Sequence, residues 1–189
     1  ISNALYTTAD FSFSGTDSVS GTNAGTYNMG LTAADFTNTS NNFTNVEFVI
    51  VDGTLEITKR QVTLTSADDS KVYDGTALTN DTVTVTGDGW ADGEGATYDV
   101  TGTQTDVGTS NNTFDYTLND NTLAANYDIT KIEGKLTVTA LTDKVTVTIT
   151  EKSGTELYDG TAKTVTGYTV AISNALYTTA DFSFSGTDS

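Results

Sequence analysis

The acidic, glycine-rich stretch TGDGWADGEGATYD surrounds Trp90, the chain's one tryptophan, with four carboxylates. Those carboxylates are Asp88, Asp92, Glu94 and Asp99. Ca²⁺ takes about six to eight oxygen ligands, and such a loop supplies several of them. Because the spacing fits no EF-hand loop, we expect a solvated acidic loop, with Asp88, Asp92 and Asp99 as the lesser, calcium-binding alternative. Tryptophan offers a broad amphipathic face, so Trp90, with Asp88, Asp92 and Glu94, is also the candidate ligand site.

A Tyr-Asp-Gly motif occurs twice, at Tyr73-Asp74-Gly75 and at Tyr158-Asp159-Gly160. The structural interpretation is a turn at a strand end, in which the tyrosine buries its ring, the aspartate caps its own turn and the glycine takes a positive φ. The functional interpretation makes each tyrosine a platform on which a glycan stacks. Because the motif stands at the same place in two related segments, we predict the structural role.

The composition offers few side chains that could act as catalytic residues. The chain has no His and no Cys, which removes imidazole and thiol chemistry, and its 25 acidic residues are scattered without a marked pair. We therefore predict that the protein is not an enzyme, and we predict no cofactor. A net charge of −17 argues against nucleic acid and anionic membrane surfaces as partners. No apolar stretch reaches the roughly 20 residues of a membrane helix, so we predict no membrane insertion.

The chain ends with the eighteen residues with which it begins, because Ile1–Ser18 and Ile172–Ser189 are identical. A second, divergent similarity lies inside that period. It pairs Ser70–Leu78 with Thr155–Lys163, Asn126–Thr139 with Asn45–Thr58 and, without a gap, Tyr98–Leu118 with Phe11–Leu31. We interpret the chain as a window of a tandem A-B-A-B array, in which 61–140 is one intact domain, 141–189 the first part of a second domain, and 1–60 the last part of that same domain type.

Threonine-rich runs with period-2 alternation, bounded by Gly, Asn and Asp, predict an all-β protein of many short strands. In VTVTIT, for example, Val145, Val147 and Ile149 share one face of a strand. Only LTAADF (Leu31–Phe36) and NTLAANY (Asn121–Tyr127) predict a short helical turn each. We expect two small β-sandwich repeat domains, immunoglobulin-like or β-grasp-like, in an extended tandem array.

Four motifs occur in order in the predicted intact domain: KVYDGT at Lys71–Thr76, VGT at Val107–Thr109, ANYDI at Ala125–Ile129 and GKLTVT at Gly134–Thr139. This combination resembles the YDG/MBG-type tandem repeat domains of large bacterial surface adhesins. The resemblance is weaker in the split domain, where Glu156 replaces the lysine before YDG and NVEF (Asn45–Phe48) replaces NYDI. It implies small β-sandwich or β-grasp-like modules, an extracellular place on the bacterial cell surface, and no catalytic residues.

The function expected from these observations is that of a structural stalk or spacer that projects a distal binding region. The alternative is a module that binds a glycan or mucin through the Trp90 loop. The expected partners are neighbouring copies of the repeat, joined into a fibre by chain continuation or by strand complementation across open strand edges. A host glycan or host protein is the other possible partner.

Overall fold

A computed structural model describes residues 1–186, so the end of the second eighteen-residue copy, Thr187–Ser189, lies outside the described residues. The described chain is all-β, with several small sheets, four short 3-10 turns and no α-helix. The strands are β1 (Phe11–Phe13), β2 (Gly25–Asn28), β3 (Phe36–Asn38), β4 (Thr54–Ile57), β5 (Arg60–Ser66), β6 (Asp69–Val72), β7 (Val83–Gly87), β8 (Ala96–Val100), β9 (Gly108–Asn112), β10 (Phe114–Leu118), β11 (Tyr127–Ile132), β12 (Gly134–Thr139), β13 (Val147–Glu151) and β14 (Tyr168–Ile172). The all-β prediction is confirmed.

The strands form two three-stranded and four two-stranded sheets within residues 1–186. The three-stranded sheets have the orders β11-β5-β7 and β6-β12-β9, and the pairs are β1-β3, β2-β4, β8-β10 and β13-β14. In each three-stranded sheet one neighbouring pair is parallel: β11 with β5, and β12 with β6. The 3-10 turns at Ala33–Asp35 and Ala124–Asn126 lie where the sequence predicted helical turns.

Contacts divide the chain into two compact units. The first comprises 1–65, 83–99 and 115–132, and its buried hydrophobic residues are Tyr6, Val62, Leu64 and Tyr127. In β5 the alternation of valine, leucine and threonine puts Val62 and Leu64 on one buried face, as the period of two requires.

The second unit comprises 66–82, 100–114 and the chain from 133 onward. Its core contains Leu78, Leu136 and Val138, with Tyr73 packed against them, and Phe114 is also fully buried. Leu136 and Val138 alternate with threonines along β12. The predicted division at 61–140, 141–189 and 1–60 stays a prediction.

The strand registers correct the gap-free pairing of Tyr98–Leu118 with Phe11–Leu31. That alignment makes Gly21 the counterpart of Gly108. In the structure, however, Gly108 pairs with Val138 across its ladder, and Gly25 pairs with Ile57, which is the counterpart of Val138. Gly25 and Gly108 also share an unusual φ of +155° and +151°. Gly25 therefore occupies the position of Gly108, and the gap-free pairing is wrong by four residues. Those residues lengthen the loop before β2, where insertions are tolerated.

Candidate functional site

The first Tyr-Asp-Gly turn is organised by the carboxylate of Asp74. Its Oδ1 accepts hydrogen bonds from the Thr76 N–H (2.9 Å), the Thr76 hydroxyl (2.8 Å) and the Lys71 ammonium (2.7 Å). Gly75 has a φ of +78°, and the Tyr73 ring packs against the Leu78–Leu136–Val138 cluster. The lysine, followed by the threonine donors, holds the pKa of Asp74 far below its ordinary value. This geometry agrees with the structural interpretation of the motif.

The second turn repeats the geometry with a different cation. Asp159 accepts from the Thr161 N–H (3.0 Å) and hydroxyl (2.6 Å), and Gly160 has a φ of +80°. The ammonium of Lys163, four residues after the aspartate, lies 2.6 Å from Asp159 Oδ2. Lysine thus follows the aspartate here, whereas Lys71 precedes its aspartate by three residues. The sequence shows Glu156 in place of Lys71, but it did not reveal that Lys163 supplies the charge.

The two tyrosines of the motif differ in burial. Tyr73 is half-buried, whereas Tyr158 is 90% exposed and the preceding Leu157 is 88% exposed. The turn forms in both places because its hydrogen bonds join residues only two to five positions apart. Burial of the tyrosine depends on other segments. The structural role of the motif stays a prediction, and the structure half-buries the ring of Tyr73 and exposes that of Tyr158.

Lys163 lowers the pKa of Asp159 to about 2, with the Thr161 hydroxyl as the next cause. We expect Lys163→Met to raise that pKa toward the ordinary value of about 3.9, because the principal stabiliser of the carboxylate is lost. Carboxyl ¹³C chemical shifts recorded against pH measure it. Lys59→Met, which removes an exposed lysine elsewhere, is the control, and an unchanged Asp159 titration in Lys163→Met would contradict the assignment.

The same depressed pKa fixes the sign of a pH effect on stability. A group whose folded pKa lies below its unfolded pKa stabilises the fold above the unfolded value, and loses that contribution as pH falls through the folded value. The turns at Asp74 and Asp159 should therefore be fully stabilised above about pH 4 and should weaken as the pH falls toward 2.

The candidate ligand residues of the Trp90 loop are held by contacts inside the fold. The Trp90 ring meets the Tyr127 ring edge-on at 4.9 Å, and its Nε1 donates to the Tyr98 hydroxyl at 3.3 Å. The Tyr127 hydroxyl donates to the Glu94 carboxylate at 2.5 Å and accepts from the Ala91 N–H. Burial, followed by the Glu94 carboxylate, raises the pKa of Tyr127. Trp90 and Glu94 are thus brought together around Tyr127, which sequence analysis did not single out.

The other acidic residues of the loop are arranged differently. Asp88 Oδ2 accepts the Gln61 N–H at 2.8 Å and thereby attaches the loop to the start of β5. Asp92 and Asp99 are exposed. Within residues 1–186, no three acidic side chains are placed to hold a metal ion. The calcium candidates Asp88, Asp92 and Asp99, and the ligand site at Trp90, stay predictions from the sequence.

A cluster of six aromatic rings in the first sixty residues was not foreseen. Phe36 lies at its centre, with ring centroids 6.0 Å from Phe11, 5.1 Å from Phe13 and 5.6 Å from Phe48. Tyr6 packs edge-on against Phe43 at 5.3 Å and is the cluster's buried member. The one indication in the sequence is the presence of phenylalanines at positions 11, 13 and 36. Contact between their rings depends on the pairing of β1 with β3.

The two eighteen-residue copies, here named the head copy (Ile1–Ser18) and the tail copy (Ile172–Ser189), share the local structure of their first ten residues. The Tyr6 hydroxyl donates to the Asp10 carbonyl at 3.1 Å, and the Tyr177 hydroxyl donates to the Asp181 carbonyl at 3.0 Å. A 3-10 turn with a capping box forms in both. The copies differ afterwards, because Phe11–Phe13 is the strand β1 whereas Phe182–Phe184 forms no strand.

A surface groove of about 450 Å³ lies along the start of β6 and β12. Its lining residues are Asp68, Asp69, Ser70, Lys135 and Thr137. The Lys135 N–H donates to Asp68 at 2.6 Å, and the Asn80 amide donates to Asp69 at 3.0 Å. Both carboxylates that line the groove therefore accept hydrogen bonds from other groups of the protein.

Comparison with known proteins adds a family for part of the chain. Residues 1–59 match the family model of the MBG domain. This confirms the predicted resemblance over the segment that carries the aromatic cluster, which is the part where the sequence motifs were weaker. No curated protein and no solved structure matches the chain.

The MBG match points to a repeat of a bacterial surface protein and to no enzyme family. Within the part of the chain that the structure describes, no helix has the length and apolarity needed to cross a membrane.

Proposed function

We propose that the chain is a structural stalk or spacer repeat of an extracellular bacterial adhesin or surface filament, built from small β-sandwich domains in tandem. The observation that carries this proposal is the recurrence of one ladder scheme. The strand pair β2-β4 has the same register as the pair β9-β12. Strand β13 lies beside β14 as β5 lies beside β7. A repeated unit whose polar groups form hydrogen bonds within the unit is typical of a spacer. Each unit of a tandem array is stabilised by its own internal contacts and by its contacts with neighbouring units.

The contacts at the two candidate ligand sites also support a spacer over a binding module. The edge-on packing of Trp90 on Tyr127 and the bond to Tyr98 give its ring a role in the fold. The Asp74 and Asp159 carboxylates face threonine and lysine donors of their own turns. Trp90 Nε1 and the Asp74 and Asp159 carboxylates, which a ligand could use, thus already have partners within the molecule.

The test of the spacer function is small-angle scattering of this chain and of the chain lengthened by further 171-residue periods. A stalk predicts a radius of gyration that rises in proportion to the number of periods. A compact assembly predicts growth with about the 0.38 power of length. The second result would contradict the proposal.

Fluorescence of Trp90, the chain's one tryptophan, tests the glycan-binding alternative directly. We expect no change in its intensity or emission maximum when mucin-type glycans are added at millimolar concentration, because the ring packs against Tyr127 and its Nε1 donates to Tyr98 inside the fold. Tyr158→Ala, which removes an exposed aromatic ring, is the matched control for non-specific stacking. A saturable fluorescence change that Tyr158→Ala preserves, together with calorimetric binding of the same glycan that Trp90→Phe abolishes, would favour the binding module.

A further inference from the structure

Two parallel ladders connect the beginning of the predicted intact domain to its end. β5 pairs with β11 over six residue pairs, from Tyr127 opposite Arg60 to Ile132 opposite Thr65. β6 pairs with β12 over four, from Leu136 opposite Asp69 to Thr139 opposite Val72. Both ladders join residues more than sixty positions apart.

The corresponding segments of the split domain lack these ladders. The Ser173 N–H donates to the Thr146 carbonyl as the Asp88 N–H donates to the Gln61 carbonyl, so Thr146 occupies the position of Gln61 and β13 corresponds to β5. In the structure β13 pairs with β14. The YDG alignment makes 154–157 the counterpart of β6, and 46–51 is the counterpart of β11. Neither segment is a strand.

Strongly exposed apolar side chains occur in these same segments. Val49 is 76% exposed and Val51 is 91% exposed at the N-terminal end of the chain, and Leu157 is exposed near the other end. Val147 is half-buried and Ile149 is 48% exposed, whereas their counterparts Val62 and Leu64 are fully buried. Exposed apolar residues beside unpaired strand edges favour association with another chain.

We propose that residues 145–184 of one molecule bind residues 19–58 of a second copy of this chain, and that the tail copy displaces the head copy of that second molecule from β3. This inference names the partner of the proposed spacer and rests on its repeat architecture. The head copy supplies the template, because its Phe11–Phe13 pairs with Phe36–Asn38 and the tail copy contains the same residues.

The exchange at β3 preserves the residues in contact. In the template register Phe182 faces Asn38, Ser183 faces Thr37 and Phe184 faces Phe36, as Phe11, Ser12 and Phe13 do in the head copy. The incoming segment already has the required local structure, because the Tyr177 and Phe182 rings stack at 6.3 Å as Tyr6 and Phe11 stack at 6.4 Å. The tail copy gives up one ring contact, Phe184 with Tyr168.

The parallel ladders provide the net driving force. In the register of β11 on β5, where Asp128 faces Gln61, Glu47 of the second copy faces Thr146. Phe48 then faces Val147, and Ile50 faces Ile149, so apolar side chains meet on one face. Residues 154–157 add to β4 as β6 adds to β12. Within residues 1–186 the tail copy, unlike the head copy, is continuous with β13 and β14, so the segments that form the ladders accompany it.

A head-to-tail exchange repeats from one molecule to the next, because the receiving molecule still offers its own residues 145–184. The contact is heterologous and leads to filaments rather than closed dimers. The net charge of −17 opposes association, so filament length should rise with salt as the repulsion is screened.

The experiment uses the absence of natural cysteine. Thr37→Cys and size-tagged Ser183→Cys proteins are mixed and oxidised, so that every 37–183 disulfide joins two molecules. Thr37 is exposed, and facing positions of antiparallel strands lie within disulfide range. We expect the mixed dimer to exceed each homodimer several-fold. Equal or lower amounts of the mixed dimer would overturn the proposed register.

A locked variant tests the displacement step. Ser12→Cys with Thr37→Cys joins the head copy to its own β3, and we expect the oxidised protein to stay monomeric by light scattering at concentrations where wild type forms filaments. Reduction should restore assembly. Wild-type protein that is monomeric at millimolar concentration and high salt, or filaments from the locked variant, would overturn the proposal while leaving the scattering test of the spacer function unaffected.

Discussion

Asn112→Asp should destabilise the second unit by about 3–5 kcal/mol, the cost of an uncompensated buried charge. Asn112 is fully buried in β9, and its amide Nδ2 donates to the carbonyl oxygens of Ala67 (3.0 Å) and Asn80 (2.9 Å). Its Oδ1 has no hydrogen-bond partner. An aspartate of the same shape would direct a carboxylate at two carbonyl oxygens and would lose both donors.

The measurement is urea unfolding followed by circular dichroism, together with hydrogen exchange of the β12 amides. Asn111→Asp makes the same chemical change one residue away on the exposed side of β9, where we expect less than about 1 kcal/mol. Asn112→Ala, which removes the donors without adding charge, should cost about 1–3 kcal/mol. An Asn112→Asp protein as stable as Asn111→Asp would contradict the assigned role.

The pH dependence of the free energy of unfolding provides a second test of the Asn112→Asp substitution. Burial without a cation raises a carboxyl pKa, so the folded variant binds a proton that the unfolded chain releases above about pH 4. Its stability should therefore improve relative to wild type as the pH falls through the raised pKa. If the loss of stability were caused only by a steric clash, it would not change with pH.

The features that sequence analysis predicted correctly are those whose partners are close in the chain. The helical turns at Ala33–Asp35 and Ala124–Asn126 depend only on residues within the turn itself. Alternation predicted the buried face of β5 because the period of a strand is itself local.

The features that were missed depend on distant partners. Asn112 meets residues 32 and 45 positions away, and nothing in its neighbourhood of the sequence indicates a buried amide. The register of β2 depends on β4, and the aromatic cluster depends on β1 meeting β3. The Trp90 loop was noticed for its acidic composition, whereas its position is set by Tyr127, thirty-seven residues later.

The two copies of the eighteen-residue segment separate these contributions within one molecule. Identical letters give the same capping box and the same tyrosine–phenylalanine stack in both places. Phe13, beside β3, is 39% exposed, and its copy Phe184 is 57% exposed. Local sequence therefore determines the turn, and the available partner strand determines whether the following residues form a strand.

Gly134→Ala should be the other strongly destabilising substitution, with a loss of about 3 kcal/mol from overpacking against backbone. A Cβ at this position would lie 2.4 Å from the Ser66 carbonyl oxygen and 2.5 Å from that of Ala67. The Gly134 N–H also donates to Ser66 Oγ at 3.0 Å, and this hydroxyl donates to the Asn112 carbonyl. Neither neighbour is a flexible side chain, so the clash is relieved only by moving β12 and its buried hydrogen bonds.

Gly53 provides the matched control, because it is the counterpart of Gly134 in the split domain. A Cβ there would lie 2.8 Å from the Met29 sulfur, at the far end of a flexible side chain that can adopt another rotamer. Gly53→Ala should therefore cost less than about 1.5 kcal/mol, measured by the same urea unfolding. Equal losses for the two variants would mean that backbone conformation, rather than the close approach of Ser66 and Ala67, requires glycine at this position of the repeat.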